Sequence, residues 1–215
     1  MEPTLESLQL VYVHDPMCSW CYGFSQTHDI IMNELTTKIP VRRLLGGLAP
    51  DTDEPMPTAM QSKLQKVWQQ IEKVIPGTQF NYDFWKNCQP RRATYPACRA
   101  VIAARCQGEH FDPIMSDAIQ QAYYRDARNP SDHDTLVNLA DEINLDAHQF
   151  DTDLRSEQVH QQLLDEIHTA RAIGINSYPS IAVVSGAGVR HIDLAYTDPV
   201  LMIEQIDTAM TELRS

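Results

Sequence analysis

The stretch VHDPMCSWCYGF, residues 13–24, places Cys18 and Cys21 three positions apart, directly after an apolar run. That run, LQLVYV (8–13), is short and rich in β-branched and aromatic residues, the pattern of a buried strand. Downstream, SQTHDIIMNEL (25–35) sets Ile30, Ile31 and Leu35 on one face of a helix, and VRRLL (41–45) reads as a second strand ended by Gly46 and Gly47. Strand, loop, helix, strand predicts a parallel pair with a crossover, the cysteines standing at the helix start.

Further along, APDTDEPMP (49–57) is a turn-rich linker, and from about 57 to 173 the pattern is helical. Met60, Leu64, Val67, Trp68, Ile71 and Val74 recur at helical spacing, as do Ile114, Met115, Ala118, Ile119 and Ala122. Leu136, Val137, Ala140 and Ile143 follow Ser131 and Asp132, both good helix starters. A stripe from Val159 to Ile173 stops at Gly174. Strand character returns in SIAVV (180–184), a SGAG turn and VRHIDL (189–194). Asp198 and Pro199 then open a last helix carrying Val200, Ile203, Ile206 and Met210. The layout is βαβ, a helical block, then ββα. Residues 1–55 and 174–215 form one discontinuous α/β unit only if 56–173 is an inserted helical domain.

The chain has 215 residues, 43% hydrophobic and 21% charged, enough to bury a core without disulfide staples. Its net charge of -12, from 17 basic and 29 acidic residues, argues against nucleic acid as a partner, because phosphate binding needs a basic footprint. No apolar run approaches the ~18 residues that span a membrane. The opening segment MEPTLESLQLVYV lacks the basic region of a secretory signal. A cytoplasmic location is the expectation. There the five cysteines, Cys18, Cys21, Cys88, Cys98 and Cys106, are not expected to build a disulfide framework.

A close pair can be a redox couple, half of a zinc site, or two incidental thiols. A structural zinc site needs four ligands, and no second close pair exists here, so no metal is expected. The redox reading has a mechanism. At a helix start, unpaired N–H groups and the positive dipole end favour a thiolate at Cys18. That lowers its pKa from ~8.5 into the range of roughly 3.5–7.5. Cys21 lies about one turn on and can resolve a mixed disulfide formed at Cys18. Cys98 and Cys106, about 12 Å apart along a helix, are too far to bond and read as small buried hydrophobes. Nothing in WKNCQPRR activates Cys88.

GINSYPSIAVV (174–184) puts Pro179 directly before a strand, far downstream of the CSWC helix start. With the helical block between them, the chain resembles the DsbA family of thioredoxin-like proteins, and more narrowly its cytoplasmic FrnE-like and disulfide-isomerase-like members. CSWC, NPSDHDTLVNLADEINLD and ARAIGINSYPSIAVV carry the likeness, which spans nearly the whole chain. It implies an α/β thioredoxin fold with a large helical insertion, and a thiol-disulfide oxidoreductase or isomerase acting on protein or small-molecule thiols and disulfides. By position, Cys18 would be the exposed nucleophile and Cys21 the buried resolving thiol. Pro179 would be the cis-proline beside them, and Ser177, Tyr178 and Trp20 would contact substrate, Tyr178 through its backbone. No cofactor is implied beyond the cysteine pair, with glutathione as a candidate co-substrate.

One departure stands out. The family carries a buried acid six residues before the first cysteine, and Tyr12 stands there. His14 or Asp15 are the candidates to replace it in proton transfer. Two other readings compete. RRLLGGL (42–48) resembles a loop of the 2-hydroxychromene-2-carboxylate isomerases and kappa-class glutathione transferases, which use glutathione and usually lack the cysteine pair. Alternatively, Met56, Met60 and Trp68 could line an apolar face of a non-catalytic binding module.

Overall fold

The computed structural model describes residues 7–214. Residues 1–6, which open the segment read as lacking a secretory signal, and Ser215 lie outside the described residues.

The apolar run becomes strand β1 (Gln9–His14), buried along its whole length. Helix α1 (Ser19–Leu35) and strand β2 (Val41–Leu45) follow, β2 running parallel to β1 with Tyr12 opposite Arg43. Strand β3 (Ser180–Ser185) pairs antiparallel on the other side of β1, and β4 (Gly188–Ile192) closes the sheet in the order β2-β1-β3-β4. Alternation along the strands splits the core in two. Leu10, Tyr12, Ile181 and Val183 face Phe24, Ile31 and Leu35 of α1, and Met202, Ile206 and Met210 of α9 (Pro199–Glu212). Val11, Val13, Leu44, Ala182 and Val184 face Ala170 and Ile173 at the end of α8 (Glu157–Ala172). This is the expected thioredoxin-like α/β arrangement.

Between β2 and β3 the chain builds α2 (Thr58–Val74), α3 (Phe84–Asn87), α4 (Tyr95–Cys106), α5 (Phe111–Tyr124), α6 (His133–Glu142), α7 (Ala147–Leu154) and α8. Their core centres on Trp68, whose ring stacks on Phe80 at 4.8 Å and meets Tyr123 and Tyr124 edge-on. Trp68 and Met56 are interior residues, so of the apolar docking face drawn from Met56, Met60 and Trp68 only Met60 is left partly exposed. Val74, by contrast, leaves its stripe and is half exposed. Cys98 is buried as expected, but Cys106, the last residue of α4, is exposed.

The helical block is fastened to the open edge of β2 by buried charges. Arg105 pairs with Asp112 at 2.7 Å and Glu166 at 2.5 Å, and Arg43 reaches Asp112 at 2.5 Å. Glu166 also accepts the N–H of Leu45 at 2.7 Å, serving a strand amide that lacks a neighbouring strand.

Three local details depart from expectation. The β4 ladder stops at Ile192, because the Asp193 N–H turns to the Gln205 side chain at 3.0 Å. Asp132 precedes α6, but its carboxylate pairs with Arg91 at 2.9 Å and caps nothing. Helix α7 buries only Phe150 and Leu154, too few for a periodic signal, although Asp146 caps it through the Gln149 N–H.

Candidate active site

The pair is positioned by the turn leaving β1. The carbonyl of Asp15 accepts the Cys18 N–H at 3.0 Å, while its carboxylate Oδ1 accepts the Met17 N–H at 2.8 Å. Pro16, between them, has no N–H to satisfy. This Asx turn delivers Cys18 to the N-cap of α1 in an extended conformation, φ -82° and ψ 117°. The first helical bond, from the Tyr22 N–H to the Cys18 carbonyl at 3.0 Å, starts there. Cys21 sits one turn on, and both thiols are free. Cys18 retains 6% of its surface and Cys21 1%, so both are buried, and Cys18 is not the exposed residue expected, because the turn from β1 and the Tyr178 segment cover it.

Electrostatics separates the two. The Cys18 pKa is lowered, first by donation from the Cys21 thiol and then by the first-turn amides of Cys21 and Trp20, against the effect of burial. The Cys21 thiol is pushed well up, chiefly by burial and then by the sulfur of Cys18. The two neighbouring thiols are thereby set apart in acidity, Cys18 below and Cys21 above the ordinary thiol range.

Three segments meet over Cys18. The Tyr178–Pro179 peptide is cis, and the Cys18 thiol donates to the Tyr178 carbonyl at 3.4 Å. The Tyr178 hydroxyl donates to the Gly46 carbonyl at 2.6 Å, and the Gly46 N–H donates to the His14 carbonyl at 2.7 Å. The Tyr178 ring lies where a side chain at residue 46 would begin, since a Cβ there would stand 2.1 Å from it. Ser177 is exposed at the rim, and its carbonyl accepts the Ser180 hydroxyl at 2.7 Å. Trp20 is partly buried, its ring 5.1 Å from that of Tyr196.

The two candidate proton acceptors sit in different surroundings. His14 stacks on Tyr12 at 4.9 Å, and its Nε2 accepts from Arg43 at 3.3 Å. Burial and the Arg43 charge hold its pKa well below the usual imidazole range. Asp15 is fully buried. Its Oδ2 accepts the Thr94 hydroxyl at 2.6 Å, the Leu48 N–H at 2.7 Å and the Cys98 thiol at 3.5 Å. Burial raises its pKa, and these donors pull it back. Among the described residues, no group of three or more His, Cys, Asp or Glu side chains could hold a metal ion.

Residues 11–198 match the family model described as thioredoxin. The chain belongs to that family. Its structural neighbours are DsbA-like oxidoreductases. A candidate protein disulfide isomerase from Nitrosomonas europaea is 25% identical with a TM-score of 0.83, covering 96% of this chain and 99% of its own. The cytosolic disulfide reductase DsbM from Pseudomonas aeruginosa is 22% identical with a TM-score of 0.74, over 96% of this chain and 99% of that one. Its structure with GSH aligns at a TM-score of 0.72 and 22% identity, over 97% and 100% of the two chains. No curated protein matches the sequence. No helix among the described residues is long and apolar enough to cross a membrane.

In this thioredoxin-family chain, Tyr12 occupies the place of the missing acid. It is buried among His14, His28 and Arg43, and burial raises its pKa well above that of a free phenol. Thr94 and Tyr196 also belong to the site, and no sequence signal marks them. Thr94 lies 79 residues from Asp15, and Tyr196 is a single aromatic residue in a linker.

Proposed function

We propose that this protein is a thiol-disulfide oxidoreductase in which Cys18 attacks and Cys21 resolves. The reading is carried by the placement of Cys18 at the N-cap of α1, its pKa lowered, with the thiol of Cys21 one turn on and its pKa raised. The Cys18 thiolate attacks one sulfur of a substrate disulfide and forms a mixed disulfide, and the other substrate sulfur leaves as a thiolate. Cys21 then loses its proton and attacks the Cys18 sulfur, expelling the second substrate thiol. The substrate gains two electrons and the protein holds a Cys18–Cys21 disulfide. Two molecules of a thiol such as glutathione return the pair to its dithiol form and leave as one disulfide. No resident cofactor or metal enters the cycle.

Substrate reaches Cys18 along Ser177, Tyr178, Pro179 and Trp20. Asp15 is the better candidate for managing the Cys21 proton, because its charge acts on both sulfurs. A cytoplasmic setting, with protein or small-molecule disulfides as partners, fits reduction or isomerisation as the working direction.

The test is covalent capture. Cys21→Ser, mixed with disulfide-bonded peptides or with glutathione disulfide, should accumulate a mixed disulfide at Cys18 detectable by mass. Cys18→Ser should neither form it nor turn over substrate. Absence of the adduct with every disulfide offered would reject the reading.

A further inference from the structure

Between the two cysteines, Trp20 projects onto Tyr196, and this contact is built as a fixed unit. The segment from Asp193 to Asp198 joins β4 to α9. It is tied at one end by the Asp193 N–H to Gln205, and at the other by Asp198, whose carboxylate caps α9 at the Leu201 N–H, 3.0 Å away. Its middle is bound to α1 itself, because the Thr27 hydroxyl donates to the Tyr196 carbonyl at 2.6 Å. The Tyr196 ring then meets Trp20 at 5.1 Å with a 56° tilt, and Phe24 edge-on at 5.6 Å. Phe24 is fully buried behind the pair, while Trp20 and Tyr196 are both only partly buried. The helix that carries Cys18 and Cys21 therefore also carries a rigid aromatic surface. The carbonyl of Tyr178 meets Cys18 from another segment of the chain. Burial raises the Tyr196 pKa, with added contributions from Cys21 and Cys18, which places its hydroxyl within the field of the pair.

We propose that Tyr196, packed against Trp20, is a specificity-determining residue that selects disulfides carrying an aromatic or bulky apolar side chain beside the bridged cysteine. The site then takes polypeptide disulfides in preference to glutathione disulfide. The inference rests on the oxidoreductase reading above. Two flat, half-buried rings already held in place lose little conformational freedom when a third apolar group packs on them. Glutathione disulfide, whose charged ends flank its sulfurs, has no such group to offer. Aromatic pairs of this kind favour association by roughly three- to tenfold beyond area burial alone.

The experiment compares two peptide disulfides of equal charge, one with Phe and one with Ser beside each cysteine, together with glutathione disulfide. The wild-type chain should favour the Phe peptide over the Ser peptide by about tenfold in kcat/KM. In Tyr196→Ala the ratio should fall to roughly two or less through KM, whereas Tyr196→Phe, which keeps the ring, should retain it. Tyr196→Leu guards against loss of folding by preserving bulk, and it too should lower the ratio. An unchanged ratio in both Tyr196→Ala and Tyr196→Leu, or equal loss in Tyr196→Phe, would overturn the proposal. Failure of the wild-type chain to turn over any of the three disulfides would instead overturn the oxidoreductase reading beneath it.

Discussion

The Tyr178 carbonyl lies 3.4 Å from the Cys18 sulfur, while the hydroxyl of the same residue holds the Gly46 carbonyl at 2.6 Å. One residue thus ties the exit of β2, through its side chain, to the Cys18 thiol, through its backbone. The backbone of Tyr178 is thereby presented to whatever is bonded to Cys18.

Gly46→Ala tests this tie. The new Cβ would overlap the Tyr178 ring at 2.1 Å, so the ring must swing away and release its bond to residue 46. Urea unfolding should show a loss of about 1–3 kcal/mol, the usual penalty of overpacking. Activity toward disulfides should fall more than the loss of folded protein explains. Full activity with unchanged stability would show that the ring is not held as described.

The pKa of Cys18 is lowered first by the Cys21 thiol. Alkylation of Cys18 followed by mass spectrometry across pH should therefore show a midpoint below the ~8.5 of a free thiol, with Cys21 unmodified there. Cys21→Ala removes the donor and should move the midpoint up. A midpoint that stays put would mean the helix start alone sets it.

Asp15 serves the turn before Cys18, the loop after β2 and the start of α4 with a single carboxylate. Asp15→Asn keeps the shape but turns one oxygen into a donor that faces N–H and O–H groups. With the amide nitrogen on the Met17 side, one buried N–H is left unmatched, and chemical denaturation should show a loss of about 1–3 kcal/mol. If Asp15 also manages the Cys21 proton, the pH profile of the resolving step should shift, a change that a purely structural role would not produce.

His14 and His28 both have pKa values lowered chiefly by burial, and Arg43 donates to each at 3.3 Å. The unfolded chain binds protons at these sites below about pH 6.5, where the folded chain does not. Their contribution to stability is therefore complete above that pH and is lost as pH falls toward their folded values. Melting temperature should drop between pH 6.5 and 5, and His28→Gln, which can still accept from Arg43, should flatten the drop. Equal slopes in the two proteins would contradict this account.

The frame of the fold was legible because it is written in local patterns. A β-branched run gave β1, Gly174 marked the end of α8, and Asp198 with Pro199 opened α9. The cysteine pair and Pro179 were legible for the same reason, as short motifs. What surrounds them was not. Thr94 and Cys98 reach Asp15 from the packed helical block, 79 and 83 residues away, and Leu48 reaches it from the loop after β2, 33 residues away. Trp68 stands in a helical stripe of the kind that more often marks core, and it is fully buried, although helical spacing alone does not say which face is covered. Cys106 read as buried because α4 is apolar almost throughout, yet as the last residue of the helix it is exposed while Ala103 and Ala104 before it stay buried.

The most direct test of the central claim is equilibration of the full chain in glutathione redox buffers, with thiols trapped and Cys18 and Cys21 read by mass spectrometry. The account predicts one reversible two-electron transition in which both residues change together, absent in Cys18→Ser. Two thiols that never pair across the accessible range, or that titrate independently of each other, would contradict it.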